Sequence, residues 1–230
     1  MPGIGFIRPA GSGGGATPPP STITNALNFD GVNDYGVCVP IVEITSPFSI
    51  SFWYKLKDTS RYNGIMRIMP TFGANRSLLV GAYPNGDITF QTTAFPANYT
   101  GFNDNNWHHL TITAGSVAKL YLDGVLAGSL SIPTLFFDRV ELGVVTNWQY
   151  VTGGSVYGNI SLADLAFHNA ELTQQQITNM KVLGTTSGDE VVRWAFDEAV
   201  GTTSGKLTDY ILKQKMSIRN MTSGFGIINY

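Results

Sequence analysis

The chain has 230 residues, few charged side chains and a single cysteine. Charged residues make up 13% of the sequence, about half the usual share. The net charge of −2 gives no basic footprint for nucleic acid, so nucleic-acid binding is not predicted. Such a polar, nearly neutral surface suits contact with sugars or with other subunits. Cys38 cannot form an intrachain disulfide, and its apolar neighbours predict a small buried hydrophobe rather than a catalytic thiol.

The sequence predicts neither a membrane-spanning helix nor a secretory signal. No stretch approaches the roughly 18 to 20 apolar residues of a membrane helix, so membrane insertion is not predicted. The segment over residues 1–9 lacks a basic start followed by an apolar core, so a secretory signal is not predicted either.

Residues 1–22 differ in composition from the rest of the chain. Ile4, Phe6 and Ile7 are apolar, and residues 11–20 are rich first in glycine and serine and then in proline. This composition predicts a flexible piece followed by a stiff, extended one. Two interpretations stay open: a disordered tail, or an anchor in which Ile4, Phe6 and Ile7 dock on another protein.

The segment from Trp107 to Gly124 carries the clearest structural pattern. Leu110 and Ile112 alternate with threonines, a turn of small residues follows, and a second alternating run ends at Asp123 and Gly124. Alternation with a period of two, broken by tight turns, predicts β-hairpins. We expect three antiparallel strands with one buried face.

His108 and His109 are adjacent in this segment. His108 is in phase with Leu110, so it is predicted to lie in the core, whereas His109 points to the other face. Because neighbouring residues on a strand face opposite ways, the two histidines are not expected to bind one metal together.

Short strands separated by turns recur along the chain. Phe48 to Tyr54 alternates in hydropathy, and residues 84–86 (Pro-Asn-Gly) predict a hairpin turn. A single short helix is expected from Thr173, with Gln176 completing a capping box, to about Leu183. About a dozen short strands in this arrangement predict an all-β fold, a two-sheet antiparallel sandwich with one short helix.

Several segments, in order, resemble the laminin-G-like (concanavalin A-like lectin/glucanase) jelly roll. They are Ala26–Tyr35, Phe48–Lys55, Trp107–Gly124, Leu162–Thr173 and Trp194–Thr203. The resemblance implies a jelly roll over residues 23–205. The composition before it predicts an N-terminal anchor and linker over residues 1–22, and the remaining residues, 206–230, are expected to form a C-terminal extension packed on or beside the sandwich.

The resemblance also implies a structural calcium ion, with Asp30 and Asp164 as candidate ligands. Asp164 is in phase with Ile160 and Leu162, which predicts that it points inward, where a carboxylate needs a partner or a metal. For Asp30 the alternative is a turn residue that caps its own backbone.

Two loops have the composition of a sugar-binding surface, with aromatic rings beside amides and carboxylates. Loops on a rigid sandwich are common places for binding sites. The alternative is contact between loops or with neighbouring subunits. The candidate ligand-binding residues are Tyr99, Asn103, Asp104, Asn147, Trp148, Gln149, Tyr150 and Tyr157.

Catalysis is not predicted. Glycosidases need two carboxylates that face one sugar bond, which on a strand calls for acids two or four residues apart. Asp138 and Glu141 are three residues apart, and no Glu-x-Asp-x-Glu arrangement occurs.

These features favour a non-enzymatic structural or adhesion protein of a virion, such as a tailed-phage capsid or tail component, assembled in the host cytoplasm. Its N-terminal segment would bind other virion proteins, and its jelly roll would bind host glycans. We expect a homo-oligomer or part of a larger assembly. The alternatives are a stand-alone, extracellular carbohydrate-binding module and, third, a glycoside hydrolase.

Overall fold

A computed structural model describes residues 23–38, 43–69, 78–85, 88–90, 93–94, 104–131, 136–146, 154–184, 188–196, 205–208, 215–219 and 225–227. In chain order its elements are β1 (Asn25–Asp30), β2 (Tyr35–Cys38), β3 (Ile44–Thr45), β4 (Phe48–Leu56), β5 (Asn63–Met69), β6 (Leu78–Ala82), β7 (Ile88–Phe90), β8 (Thr93–Ala94), β9 (Trp107–Ala114), β10 (Val117–Leu122), β11 (Val125–Ser131), β12 (Phe136–Phe137), β13 (Arg139–Leu142), β14 (Val144–Thr146), β15 (Ser155–Tyr157), β16 (Asn159–His168), α1 (Gln174–Leu183), β17 (Glu190–Trp194), β18 (Gly205–Thr208), β19 (Lys215–Arg219) and β20 (Phe225–Ile227).

Two eight-stranded antiparallel sheets form the sandwich. The first sheet has the order β11-β10-β9-β4-β16-β1-β20, with β17 also paired to β16. The second sheet has the order β18-β19-β2-β13-β5-β6-β7-β8. One large cluster of buried apolar side chains lies between them, and Cys38 belongs to it, as predicted. The all-β two-sheet sandwich expected from the alternating pattern, and the jelly-roll form that the resemblance implied, are therefore confirmed.

The predicted meander is present as β9, β10 and β11, but the expectation of a single buried face is wrong. All eight residues of β9 are buried. The outer face of the first sheet is covered because Tyr121 packs there with Leu172, Ile177 and Met180, which belong to α1 and the segment before it.

Helix α1 has the predicted limits. The Thr173 side chain accepts a hydrogen bond from the Gln176 N–H, and the Gln176 side-chain oxygen accepts one from the Thr173 N–H, which completes the capping box. Gly184 ends the helix in the left-handed conformation, with φ of 60°. Within the part of the chain that the structure describes, no helix is both long and apolar enough to cross a membrane.

Strands from the C-terminal part of the chain join both sheets. Strand β19 pairs with β2 in the second sheet. Strand β20 pairs with β1 in the first sheet.

Several connections meet at one end of the sandwich, which we call the rim. It comprises residues 31–34, 57–62, 83–85, 104–106 and 123–124. In the first sheet, the strand ends beside it pair as Asp30 with Asn159, Leu56 with Ile160, Lys55 with Trp107 and Leu122 with Leu110. In the second sheet, Asn63 pairs with Ala82 at the same end. The rim is where side chains from distant parts of the sequence converge.

Candidate functional site

The connection between β4 and β5 is held in place by polar contacts. The Asp58 carboxylate accepts hydrogen bonds from the Ser60 N–H (2.9 Å) and hydroxyl (2.6 Å) and pairs with the Arg61 Nε at 3.0 Å. These contacts, those from Ser60 first, lower the pKa of Asp58. Arg61 also donates to the Gly31 carbonyl at 2.9 Å, so this connection and the turn after β1 are tied together.

Asn63 joins the two sheets beneath the rim. Its Nδ2 donates to the carbonyls of Asp58 (2.7 Å) and Arg61 (3.1 Å), and its Oδ1 accepts from the Asn159 N–H at 2.9 Å. The side chain is buried, so these bonds satisfy it away from water. The start of β5 is thereby fixed against the start of β16.

Two half-buried tyrosine rings lie next to each other at the rim. The ring centroids of Tyr62 and Tyr83 are 4.8 Å apart, with 65° between the planes, an edge-to-face arrangement. Tyr62 lies over Gly81, where a Cβ atom would collide with the ring, and it packs against Leu79 and Val145. A glycine at this position is what allows the aromatic surface to form.

The β14–β15 hairpin, whose strand β15 holds the end of the second predicted loop, lies beside this surface. Gly143, with φ of 69°, lets the chain turn out of β13, and the hairpin then runs close against Gly64 of β5. Val145 of β14 packs with Tyr62. The predicted ligand residue Tyr157, in β15, pairs with Val144 of β14. The predicted residues Asn147, Trp148, Gln149 and Tyr150 connect these strands and lie outside the described residues.

Asp104 is the described member of the first predicted loop; Tyr99 and Asn103 lie outside the described residues. Its Oδ1 is 3.0 Å from the His108 Nε2, and both carboxylate oxygens accept hydrogen bonds from Asn106. On the other side of the imidazole ring, the Asp123 Oδ2 is 2.8 Å from the His108 Nδ1. His108 is buried, as predicted, but it is held between two carboxylates.

The charges of this group reinforce one another. Burial by itself would lower the pKa of His108, but the hydrogen bonds that it donates to Asp123 and Asp104 outweigh burial and raise the pKa. Burial likewise opposes ionisation of Asp104 and Asp123, yet their hydrogen bonds lower the pKa of both carboxyls. The group therefore favours a protonated histidine between two ionised carboxylates.

His109 meets a different environment on the outer face of the sheet. Its ring lies 5.1 Å from Trp53 between centroids, and burial lowers its pKa to about 3. Among the residues that the structure describes, its buried Nδ1 has no hydrogen-bond partner. His109 is thus a neutral buried side chain and not a part of the rim.

The two candidate calcium ligands are not brought together. Asp30 accepts hydrogen bonds from the Val32 N–H (2.7 Å) and Asn33 N–H (3.4 Å), which is the turn-capping alternative. Asp30 pairs with Asn159 of β16. Asn159 is five residues from Asp164, which is about 16 Å along the strand.

The inward orientation expected for Asp164 is wrong, because a β-bulge interrupts the alternation of β16. Asp164 has φ of 50° and pairs with the Arg193 Nε at 2.7 Å. Burial raises the pKa of Asp164, and Arg193 counters that effect. Asp30 and Asp164 do not fit one shared ion, and the described residues contain no group of three or more acidic, histidine or cysteine side chains arranged to hold a metal. Calcium binding itself stays a prediction.

Comparison with known proteins places this fold in a family. The sequence profile of the concanavalin A-like lectin/glucanases superfamily, in its laminin-G form, matches residues 30–178. The chain belongs to this superfamily, as the ordered motifs indicated. No curated protein sequence matches the chain significantly.

Solved structures share the fold at low sequence identity. A protein of Bacteroides ovatus, provisionally assigned as carbohydrate-binding, is 15% identical with a TM-score of 0.68. The match covers 90% of this chain and 61% of that protein. The Trypanosoma rangeli sialidase is 15% identical with a TM-score of 0.52, over 69% of this chain and 27% of the sialidase. This chain therefore spans about three fifths of the first relative and about a quarter of the second.

Sequence reasoning named Asp104 and Tyr157 as candidate ligand residues, although it placed Tyr157 in a loop and the structure places it in a β-hairpin. It missed Tyr62, Tyr83 and Asp123. The two tyrosines are 21 residues apart and gave no local pattern. Asp123 was assigned only to a turn. A signal for the contact was present: Asp123 follows β10 and His108 lies near the start of β9, and these two ends meet in a hairpin because the strands pair antiparallel.

Proposed function

We propose that this chain is a non-enzymatic recognition protein whose jelly roll binds glycans at the rim. The observation that carries the proposal is the Tyr62–Tyr83 pair, half buried and placed beside the hairpin that leads to the predicted aromatic loop. Flat apolar rings next to a few polar groups form the usual chemistry of a small-ligand site.

The electrostatics of the chain support a neutral or weakly charged ligand. The sequence carries a net charge of −2 and the described rim combines acidic and basic groups that pair with one another, such as Asp58 with Arg61. The similarity in fold to a protein provisionally assigned as carbohydrate-binding also supports a sugar as the ligand.

Three described carboxylates of the rim, Asp58, Asp104 and Asp123, argue against glycosidase chemistry. Hydrolysis of a sugar bond needs one carboxyl that stays protonated as an acid and a second that faces the same bond. Asp58, Asp104 and Asp123 all have lowered pKa values, owing to hydrogen bonds that outweigh any effect of burial, so none is held protonated near neutral pH. Each is also engaged by Arg61 or His108. We therefore propose binding without catalysis.

A glycan-array screen followed by calorimetry tests the proposal. Tyr83→Ala is expected to weaken binding of the selected glycan about tenfold, since an aromatic contact contributes up to about 1.5 kcal/mol. Phe136→Ala is the matched control, because Phe136 is an exposed aromatic residue in β12, away from the rim. Full affinity in Tyr83→Ala, or no glycan bound at all, would contradict the proposal.

We propose further that the protein is a virion component, as the sequence features indicated. The support is the low charge, the single cysteine and the apolar residues Ile4, Phe6 and Ile7, which lie outside the described residues. Deletion of residues 2–20 is expected to abolish incorporation into particles and to leave glycan affinity unchanged. Purified particles that lack the full-length protein would contradict this assignment.

A further inference from the structure

Both ring nitrogens of His108 face a carboxylate oxygen. The Nδ1 is 2.8 Å from Asp123 and the Nε2 is 3.0 Å from Asp104, and the histidine side chain is only 3% exposed. A carboxylate can only accept hydrogen bonds, so each nitrogen must donate. A neutral imidazole has one N–H and an imidazolium ion has two. This geometry is therefore complete only when His108 carries its proton.

The two carboxylates are not held equally well. Asp123 is 16% exposed, and its Oδ1 also accepts from the His109 N–H at 2.9 Å. Lys181 of helix α1 donates to the Asp123 carbonyl at 3.0 Å. Asp104 is 36% exposed, and its other hydrogen bonds come from Asn106 in its own segment. Of the two, Asp104 has the weaker attachment to the sandwich.

We propose that His108 is a positioning residue: its proton holds the Asp104 carboxylate at the rim, and loss of that proton releases residues 104–106. A neutral His108 donates to one carboxylate only, and Asp123 retains it. The lone pair of the other nitrogen then faces Asp104, which is repelled. The effect on ligand affinity rests on the proposed glycan site; the release of Asp104 does not.

Other described groups around His108 favour the same state. Tyr54 of β4 lies 5.9 Å away between ring centroids, and burial, with Asp123 and Asp104, raises its pKa, so it stays neutral. Lys181 stabilises the Asp123 charge. The pKa of His108 is raised above its ordinary value of about 6.5. Its stabilising contribution is then complete below about pH 6.5 and is lost as pH rises through the raised value.

Nuclear magnetic resonance of the full chain, without ligand, tests the inference directly. Its two reporters are the His108 ring proton and the Asn106 amide, which donates to Asp104 at 2.8 Å. The expected result is a step in the Asn106 shift at the same midpoint as His108, above pH 6.5. Amide exchange at Asn106, corrected for its intrinsic pH dependence, should rise about tenfold through that midpoint.

Three variants separate this role from a merely structural one. His108→Gln is expected to remove the Asn106 step, and Asp104→Asn to remove the step and lower the His108 midpoint. Asp189→Asn is the control, because Asp189 lies near His168 at the other end of the sandwich. It should leave both midpoints unchanged. If His108→Gln does not fold, Asp104→Asn still decides the question.

A His108 midpoint at or below 6.5, or an Asn106 step that persists in His108→Gln, overturns the inference. Glycan affinity measured on either side of the midpoint then tests the functional part. If the Asn106 step is present but glycan affinity does not change with pH, the inference that His108 controls glycan binding is overturned. A normal Asn106 step in a protein that binds no glycan overturns the proposed function and leaves the role of His108 intact.

Discussion

His108 and His109 are neighbours on β9 and equally buried, each 2% exposed, yet their pKa values move in opposite directions. Burial lowers the pKa of both. For His108, the hydrogen bonds that it donates to Asp123 and Asp104 reverse the effect; for His109, the pKa falls to about 3. At equal burial, the hydrogen-bond partners of an imidazole therefore decide its charge: without a carboxylate partner burial keeps it neutral, and with two carboxylates it is protonated.

The two faces of β9 meet different surroundings. The His108 side meets carboxylates supplied by the connections at the rim. The His109 side lies beneath the layer that α1 closes, next to Trp53. Since the faces of one strand alternate, a single residue step separates a charged site from a neutral one.

The largest expected effect is a loss of stability in acid. The unfolded chain binds a proton at His109 near pH 6.5, but the folded chain does so only near pH 3. Unfolding therefore takes up a proton between these values, and the free energy of unfolding should fall as pH falls, by roughly 4 to 5 kcal/mol from this residue. Urea unfolding from pH 7 to pH 3 measures the change.

His109→Gln provides the comparison for that measurement. The variant lacks the His109 contribution, so its free energy of unfolding should fall less between pH 7 and pH 3. Burial also lowers the pKa of His168, to about 4, but this residue contributes equally in both proteins. Identical acid dependence in the variant and the parent would rule out a neutral, buried His109.

A smaller effect is expected for Asp123→Asn, because Asp123 touches both histidines. It accepts from the His108 ring and from the His109 N–H. Loss of its charge should lower the free energy of unfolding by about 2 kcal/mol, the contribution of a hydrogen bond to a charged group. Titration followed by magnetic resonance should show both histidine midpoints moving down. An unchanged His108 midpoint would show that Asp104 alone raises its pKa.

The smallest effect concerns the helix that covers the His109 side. Thr173→Ala removes the cap of α1 and should lower the free energy of unfolding by about 1 kcal/mol. Thr178→Ala, on the exposed face of the same helix, is the control. Urea unfolding of both proteins gives the difference. Because alanine has the higher helix propensity, Thr178→Ala should cause no loss; a loss as large as that in Thr173→Ala would show that the effect is not specific to the cap.

Local patterns sufficed for the elements of the sandwich. Leu110 and Ile112 identified β9, residues 84–86 identified the β6–β7 hairpin, and Thr173 with Gln176 identified the start of α1. These signals depend on residues close in sequence, so no knowledge of the packing was needed. The order of the motifs was enough to indicate the family that the sequence profile confirms.

The same local reasoning failed where packing intervened. Alternation placed Asp164 inward, but the bulge in β16 turns it toward Arg193. Alternation also gave β9 one buried face, whereas the helix covers the second. A period of two describes a strand by itself and carries no information about bulges or about the layer above the sheet.

Most of the longer strands, their tight turns, the helix with its caps and the all-β class could be predicted from the sequence, because these follow from the hydropathy period and the backbone preferences of neighbouring residues. Short strands such as β15 could not. Only the tertiary structure decided that Asp104 and Asp123 enclose His108 and that Tyr62 meets Tyr83 over Gly81. These residues lie on separate strands and connections, and only the register of the sheets brings them together. The charge of a buried histidine depends on such contacts, so the chemistry of the rim was fixed by the fold.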